Sequence, residues 1–461
     1  MLSKTLKTIN NCYPLYSKWL NSNYKYKASL DVITPVGLTC SEIYKIGNTK
    51  KFRAFEKSNK SVRLRYENND YIKIISLRNL VTNRKKVKVT NIKIPEYISN
   101  EPIYSLLKWP GGKQKELRLL LNKNPEMFPQ QIKTYYDPFV GGGSVYFSMK
   151  ADRLLVNDKC NELVQLYKII GNKDTLFYDA LDNISLHWNN ISKLIDREFV
   201  SILDTYKTND SFAKFLLKHH SELLTGIWCG QYQYTQLLDK IFTQKLKRIK
   251  TVEEKHGKMN DKDILSNIEG AIKSASYTFF RDIYNNYSHY KLTLQEVIVC
   301  FYFLRDYCFS SMFRFNKDGH FNVPYGGISY NRKKPNFRKD LWQSDRVISH
   351  LNKTTIKCLD FERFFKEYPP QDGDFIFVDP PYDSEFSTYA QNKFGKQEHR
   401  CLAKILLSCK ANFMLIIKNT EFISELYNHK GISRIPFLKK YSVSFMDRNE
   451  QTVEHLIIKN Y

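Results

Sequence analysis

The rhythm of apolar and polar positions changes several times along this chain. Residues 1–27 are polar and aromatic without a clear period. Between 28 and 92 the runs DVITPVGL, KKFRAFEK, SVRLRYE, YIKIISL and KKVKVTNIKI are short, β-branched or aromatic and partly alternating, with Asn, Gly and Lys between them. This pattern predicts a small basic β-barrel or sheet of SH3-like kind, suited either to binding DNA or a partner or to capping the rest of the chain. After a break at IPEYISNEPIY, residues 133–170 read as strand, Gly-rich turn, helix, strand, helix, with Ser144 as N-cap of the first helix. Residues 172–300 are mainly helical: ISKLIDREFVSILDTY and DILSNIEGAIKSASYTFF carry apolar residues at helical spacing. Between those two stretches, the highly charged KLKRIKTVEEKHGKMNDKD predicts an exposed helix end or loop.

SSMFRFNKDGHFNVPYGG, rich in Gly, Asn and aromatics, is a loop or hairpin. Alternation then resumes. DFIFV, NFMLIIKN and QTVEHLIIKNY are strands, and EHRCLAKILLSC and EFISELYN are helices. Alternating strands and helices predict an α/β fold with a largely parallel sheet. The expected division is an N-terminal extension over 1–100, a catalytic domain from 101–172 and 345–461, and an inserted helical domain over 173–344.

Charge narrows the function. Lys and Arg total 72 against 47 acidic residues, a net +25. Such a balance suits a polyanionic partner, nucleic acid first, or else a Lys-rich surface from a biased genome. The nine cysteines are scattered, with no C-x-x-C pair and no Cys/His cluster, so neither a disulfide framework nor a metal site is expected and a reducing compartment is. No apolar run approaches the about 20 residues of a membrane span, and MLSKTLKTINNCYPLY lacks a signal-peptide core. A protein free of membrane, cytoplasmic and associated with DNA, is expected.

Two motifs carry chemistry. In YYDPFVGGGSVYF a strand ending near Tyr136 meets Gly141-Gly142-Gly143, where missing Cβ atoms allow unusual backbone angles and close approach of a ligand. The next strand, RLLVN, ends at Asp158, the position from which an acid reaches the ribose hydroxyls of an adenosine-containing ligand. Asp158 could also simply cap the helix that begins near Asn161; the two roles are compatible, and the strand-end placement favours the ligand. No P-loop is present, since Lys113 follows Pro110-Gly111-Gly112 without the remaining residues. The second motif is DFIFVDPPYDSEF. The strand delivers Asp379 to its carboxyl edge, Pro380 and Pro381 stiffen the loop and remove two donors, and the Asp379 carboxylate and Pro380 carbonyl remain as acceptors. Two acceptors suit an exocyclic amine on an aromatic ring, whose developing positive charge they stabilise. Tyr382 can stack on that ring, a contact worth about 1–3 kcal/mol.

Together these residues resemble the Dam-type, alpha-class adenine-N6 DNA methyltransferases. The similarity runs over about 104–461, is thinner between 175 and 300, and does not include residues 1–100. LLKWPGGKQKEL is similar to the family's opening segment. The resemblance implies that Trp109, Lys113, Phe139, Gly141, Gly142, Gly143, Asp158, Asp360, Phe361 and Asp379 hold S-adenosyl-L-methionine, with Asp360-Phe361 at its adenine. It assigns catalysis to Asp379, Pro380, Pro381 and Tyr382, acting on a flipped-out adenine. FSSMFRFNKDGHFNVPYG resembles the family's DNA-reading hairpin and nominates Phe309, Arg314, Asn316 and Pro324. Arg314 would read a guanine edge or contact phosphate, and Phe309 would fill the gap left by the flipped base or pack in the core. Ser310-Ser311 depart from the Asn-Gly frequent in the family. The implied fold is a Rossmann-like methyltransferase sheet with an inserted helical recognition domain. The implied partners are double-stranded DNA and a companion restriction endonuclease, with the enzyme a monomer or weak dimer. The alternatives are cytosine-N4 or RNA amino methylation, where Ser or Asn more often replaces the Asp379 type, and a catalytically idle DNA-binding homologue.

Overall fold

A computed structural model describes residues 30–32, 40–46, 50–58, 61–66, 72–76, 98, 103, 105–109, 127–311, 313–336, 338–381, 394–440 and 452–461. Lys113, Tyr382 and the run KKVKVTNIKI lie outside them. The chain forms two compact units: Met1–Pro102, Lys113–Lys133 and Ser148–Ala151 in one, and Ile103–Gly112, Thr134–Phe147 and Asp152–Tyr461 in the other.

The first unit contains an antiparallel meander of β1 (Leu30–Val32), β2 (Cys40–Ile46), β3 (Lys50–Ser58), β4 (Ser61–Tyr66) and β5 (Ile72–Ser76), each strand pairing with the next. The register shifts between Ala54 and Glu56, a bulge that adds twist to β3. β2 falls on CSEIYKI, which lies outside the five runs expected to be strands.

The second unit is built on a seven-stranded sheet of β6 (Thr134–Asp137), β7 (Arg153–Asn157), β8 (Thr354–Lys357), β9 (Phe375–Val378), β10 (Asn412–Lys418), β11 (Ser433–Lys440) and β12 (Thr452–Lys459), in the order β11-β12-β10-β9-β6-β7-β8. β8 through β10 are parallel, and β12 joins β10 antiparallel with β11 beside it. The α/β, largely parallel sheet is as expected. Its central strands have no solvent face: Phe375 to Val378 and Phe413 to Ile417 are all buried. Buried Asp374 accepts from the Thr134 and Gln371 amides and so pins the start of β6 to β9. The chain winds outward from β6 through β7 to β8, then returns to the other side of β6 at β9. That reversal makes the carboxyl ends of β6 and β9 a topological switch point, where open α/β sheets leave a crevice.

The helices are α1 (Asn161–Gly171), α2 (Thr175–Arg197), α3 (Phe199–Lys207), α4 (Ala213–Lys218), α5 (His220–Leu224), α6 (Gln231–His256), α7 (Asp261–Asn285), α8 (Leu294–Tyr307), α9 (Lys339–Trp342), α10 (Asp345–Asn352), α11 (Phe361–Glu367), α12 (Lys396–Ser408) and α13 (Glu421–Leu426). The charged KLKRIKTVEEKHGKMNDKD is the end of α6, the Gly257 break at φ 90°, and the Asn260-capped start of α7. α2, α7 and α8 share a core in which Trp188 lies edge-on to Phe303 and Tyr307, with centroids 5.2 and 4.8 Å away. A Thr293–Glu296 capping box fixes the start of α8. Among the described residues no helix is long and apolar enough to cross a membrane.

One expected element is different. No α-helix begins at Ser144; a single 3-10 turn, Tyr146–Ser148, follows the glycines. The Tyr146 hydroxyl lies 2.6 Å from Thr354 Oγ1, and its ring is 4.6 Å from His350, so tertiary packing draws the segment inward after one turn.

His187 on α2 is fully buried, with Nε2 2.9 Å from Ser276 Oγ and Nδ1 3.1 Å from the Thr225 carbonyl. Burial pushes its pKa from 6.5 down to about 4. On acidification the unfolded chain therefore takes up this proton first. Stability present above pH 6.5 is expected to be lost toward pH 4, by up to about 3 kcal/mol from this residue. Urea titrations at pH 7 and pH 4.5 should show His187→Gln with a flatter dependence than the parent.

Candidate active site

Three carboxylates stand at the carboxyl ends of adjacent strands: Asp379 after β9, Asp137 ending β6 and Asp158 after β7. Asp137 is buried, accepting from the Tyr135 hydroxyl at 3.1 Å and the Phe139 amide at 3.2 Å. Burial pushes its pKa well up, and the charges of Asp379 and Asp158 raise it further. Asp158 serves the local structure on both oxygens: Oδ2 accepts the Gly141 amide at 2.9 Å and Oδ1 the Cys160 amide at 2.8 Å. It thus ties the glycine turn to the entrance of α1. Asp379 is half-buried, Pro380 is buried and Pro381 is exposed.

The glycines are required by what touches them. Gly141 and Gly143 have φ of 49° and 71°. A Cβ on Gly141 would stand 2.8 Å from Trp109 Cδ1, one on Gly142 2.8 Å from Trp109 Cβ, and one on Gly143 2.6 Å from the Phe147 ring. Trp109 is therefore laid directly on the turn. The Tyr167 hydroxyl holds the Gly141 carbonyl at 2.6 Å, and Ser105 Oγ lies 2.6 Å from that of Gly142. Asn157, buried at the end of β7, donates to the Pro138 and Leu359 carbonyls and accepts from the Leu359 amide. One side chain thereby locks the exits of β6 and β7 to the residues that follow β8.

Phe139 is half-buried against Phe361 and Phe394, with centroids 5.7 and 5.5 Å away. Phe361 is itself buried in this aromatic cluster. Asp360 caps α11 through the Glu362 amide and lies 3.6 Å from Lys159 Nζ.

The segment after α8 folds back as a hairpin, with antiparallel bridges Cys308↔Tyr325 and Phe315↔Phe321. Phe313 stacks on Phe321 at 4.5 Å beneath it. Asn285 brackets Phe321, and the Tyr277 hydroxyl holds the Val323 carbonyl. Phe309 is 45% exposed, so it is not a core residue. Its amide donates to the carbonyl of Pro324, which is exposed. Arg314 is exposed, with Nε 3.4 Å from Asn322 Oδ1. Asn316 spends its acceptor on the turn, taking the Asp318 and His320 amides.

A family model described as D12 class N6 adenine-specific DNA methyltransferase matches residues 109–441, spanning the Gly turn, the hairpin and the Asp379 loop. The chain belongs to this family. It is an adenine-specific DNA methyltransferase, as its motifs imply. It is 25% identical over 362 residues to the type II methyltransferase M.CviBI of Paramecium bursaria Chlorella virus NC1A, covering 77% of this chain and 99% of that protein. To the type II methyltransferase M.MjaIII of Methanocaldococcus jannaschii it is 23% identical, over 77% of this chain and 98% of the other. To the DNA adenine methylase of Haemophilus influenzae it is 28% identical, over 38% and 65%.

Within this methyltransferase, Asp137 and Asn157 organise the strand exits, and Arg305 lies over the ring of Trp109 at 3.9 Å, without having been singled out from the sequence. Asp137 carried a usable signal, an acid at a strand exit beside the Gly turn, as at Asp158. Arg305 carried another, a lone cation within the apolar run VIVCFYFLRDY. Ser310 stands at φ 54°, in the left-handed region that Asn and Gly occupy most easily, so the Asn-Gly of the family suits this backbone better than the serine does. Ser310→Asn is expected to stabilise the protein by about 1 kcal/mol, read as a raised midpoint in thermal denaturation.

Proposed function

We propose that this enzyme takes its methyl group from S-adenosyl-L-methionine and delivers it to N6 of an adenine flipped out of double-stranded DNA, with Asp379 and Pro380 accepting from the amine. The observation that carries the proposal is the position of Asp379 at the switch point, on the strand next to the Gly141–Gly143 turn. The residues fit the donor. Its sulfonium is cationic and would offset the crowding of acidic groups at the ends of β9, β6 and β7, where Asp379 and Asp158 raise the pKa of Asp137. Gly141 to Gly143 leave backbone open where a Cβ would close it. Each Asp158 oxygen keeps a second lone pair for a ribose hydroxyl.

Trp109, Lys113, Phe139, Gly141–Gly143, Asp158, Asp360, Phe361 and Asp379 would hold the cofactor, which supplies an electrophilic methyl group when bound. Asp379 and the Pro380 carbonyl orient the amine and stabilise charge developing on it, and Tyr382 stacks on the base. Phe309, Arg314, Asn316 and Pro324 belong to the element that meets DNA, with Asn316 shaping its turn. The helical stretch 173–344 forms the recognition region, and the basic sheet within 28–92 adds DNA or partner contacts. The type II names of two relatives support a companion restriction endonuclease. We place the enzyme in the cytoplasm on DNA, as a monomer or weak dimer.

Incubation with S-adenosylmethionine labelled in its methyl group and duplex DNA, followed by nucleoside analysis, tests this reading. Label in N6-methyladenine is expected. Label in N4-methylcytosine, in RNA alone, or nowhere would overturn it. Sequencing methylated DNA from a host expressing the chain then gives the recognition site.

A further inference from the structure

Arg305, near the end of α8, is 5% exposed, and among the described residues no carboxylate lies within ion-pair distance of it. Its Nε has no hydrogen-bond acceptor there either. Its guanidinium instead lies between rings, 3.9 Å from the centre of Trp109, 4.5 Å from Phe313 and 5.6 Å from Phe301. Burial depresses its pKa to about 10, while Asp158 is among the groups whose charge pulls it back up. A buried cation held by aromatic faces is comfortable only while those faces stay in place.

The two outer faces belong to different functional elements. Trp109 lies on Gly141 and Gly142, and Phe313 stacks on Phe321 under the hairpin. Three residues separate Arg305 from Phe309, the first exposed aromatic of that hairpin. A shift of the hairpin that moves Phe313 takes away one face, and the guanidinium can follow only by loosening Trp109 from the glycine turn.

We propose that Arg305 is a positioning residue that couples DNA engagement by the hairpin to cofactor affinity at the glycine turn. This rests on the cofactor and DNA assignments proposed above. Coupling of this kind is reciprocal: DNA changes the affinity for the cofactor by the same factor by which the cofactor changes the affinity for DNA. Charge alone does not provide it, because the planar guanidinium must touch both rings at once.

The test is the dissociation constant of S-adenosylhomocysteine for the full chain, by calorimetry, with and without a saturating duplex carrying the methylation site. The parent is expected to show a ratio that differs from one by about 5-fold or more. In Arg305→Met the ratio is expected to fall to about one while both ligands still bind individually, and Arg305→Lys is expected to restore it only in part. Phe313→Leu, which removes one face and leaves the arginine, should lower the ratio as well and serves where Arg305→Met does not fold. An unchanged ratio in the folded variants, or a ratio of one in the parent, overturns the coupling and leaves the site assignments standing. Failure of the parent to bind either ligand overturns the assignments themselves.

Discussion

Asp379→Ala is expected to lower kcat by about 10²–10³-fold or more, the cost of removing one preorganised group that meets developing charge. The dissociation constant for S-adenosylmethionine should change far less, because the glycine turn, Trp109 and Asp158 are held by contacts that do not involve Asp379. Single-turnover rates with saturating cofactor and duplex, set beside calorimetric affinities, separate the two effects. Loss of binding equal to the loss of rate, in a folded variant, would leave Asp379 with its cofactor contact alone and overturn its catalytic role. A second readout comes from Asp137. The charge of Asp379 contributes to its raised pKa, so removing Asp379 should lower the Asp137 value. Carboxyl chemical shifts followed with pH report that change. Asp379→Asn keeps one acceptor oxygen and replaces the other with a donor, so it is expected to fall between parent and alanine.

The fold was legible where burial writes itself into sequence. β9 and β10 are buried along nearly their whole length, and FIFV and NFMLIIK show it as continuous apolar runs. The two outer strands of the same sheet were not legible. β8, TTIK, and β11, SRIPFLKK, pair on one side only, and β11 carries Pro436 and two lysines. Edge positions relax the demand for apolar residues and tolerate proline and charge. The helix expected at Ser144 failed for another reason, since Tyr146 and Phe147 pack against His350 and override the local propensity.

In the site, residues with a motif were found and residues acting through tertiary geometry were not. The Gly turn, Asp158 and the Asp379 loop each sit at a strand exit, which a linear pattern can show. Asn157 reaches Leu359, 202 positions along the chain, and Arg305 meets Trp109 only once the sheet and α8 are packed. Asp158 does not cap α1 directly: Cys160 is the N-cap, and Asp158 accepts its amide and that of Gly141, joining the helix entrance to the turn.

The largest stability loss is expected from Lys273→Met. Lys273 is fully buried on α7, 3.0 Å from Glu269, 2.6 Å from Ser192 Oγ and bonded to the Asn331 carbonyl. Glu269 also accepts from Ser192 at 2.7 Å and pairs with Arg332 at 3.0 Å, while Arg332 grips Asp196 with both terminal nitrogens. The network joins α2, α7 and the residues after the hairpin. Removing the ammonium takes one of two cations from the buried Glu269, which keeps Arg332 and Ser192, and leaves the Asn331 carbonyl without this donor, a loss of up to about 3–5 kcal/mol in urea unfolding. The pair itself is not the source of that stability. Burial pushes the Lys273 pKa down to about 8 despite Glu269, so desolvation outweighs the attraction between the two charges. Lys273→Met combined with Glu269→Leu should therefore recover most of the loss, since apolar replacement of a buried pair is often neutral or stabilising. Recovery would assign the network to orienting the chain that leaves the hairpin, whereas a loss as large as that of the single variant would mean that the ion pair holds the helices together.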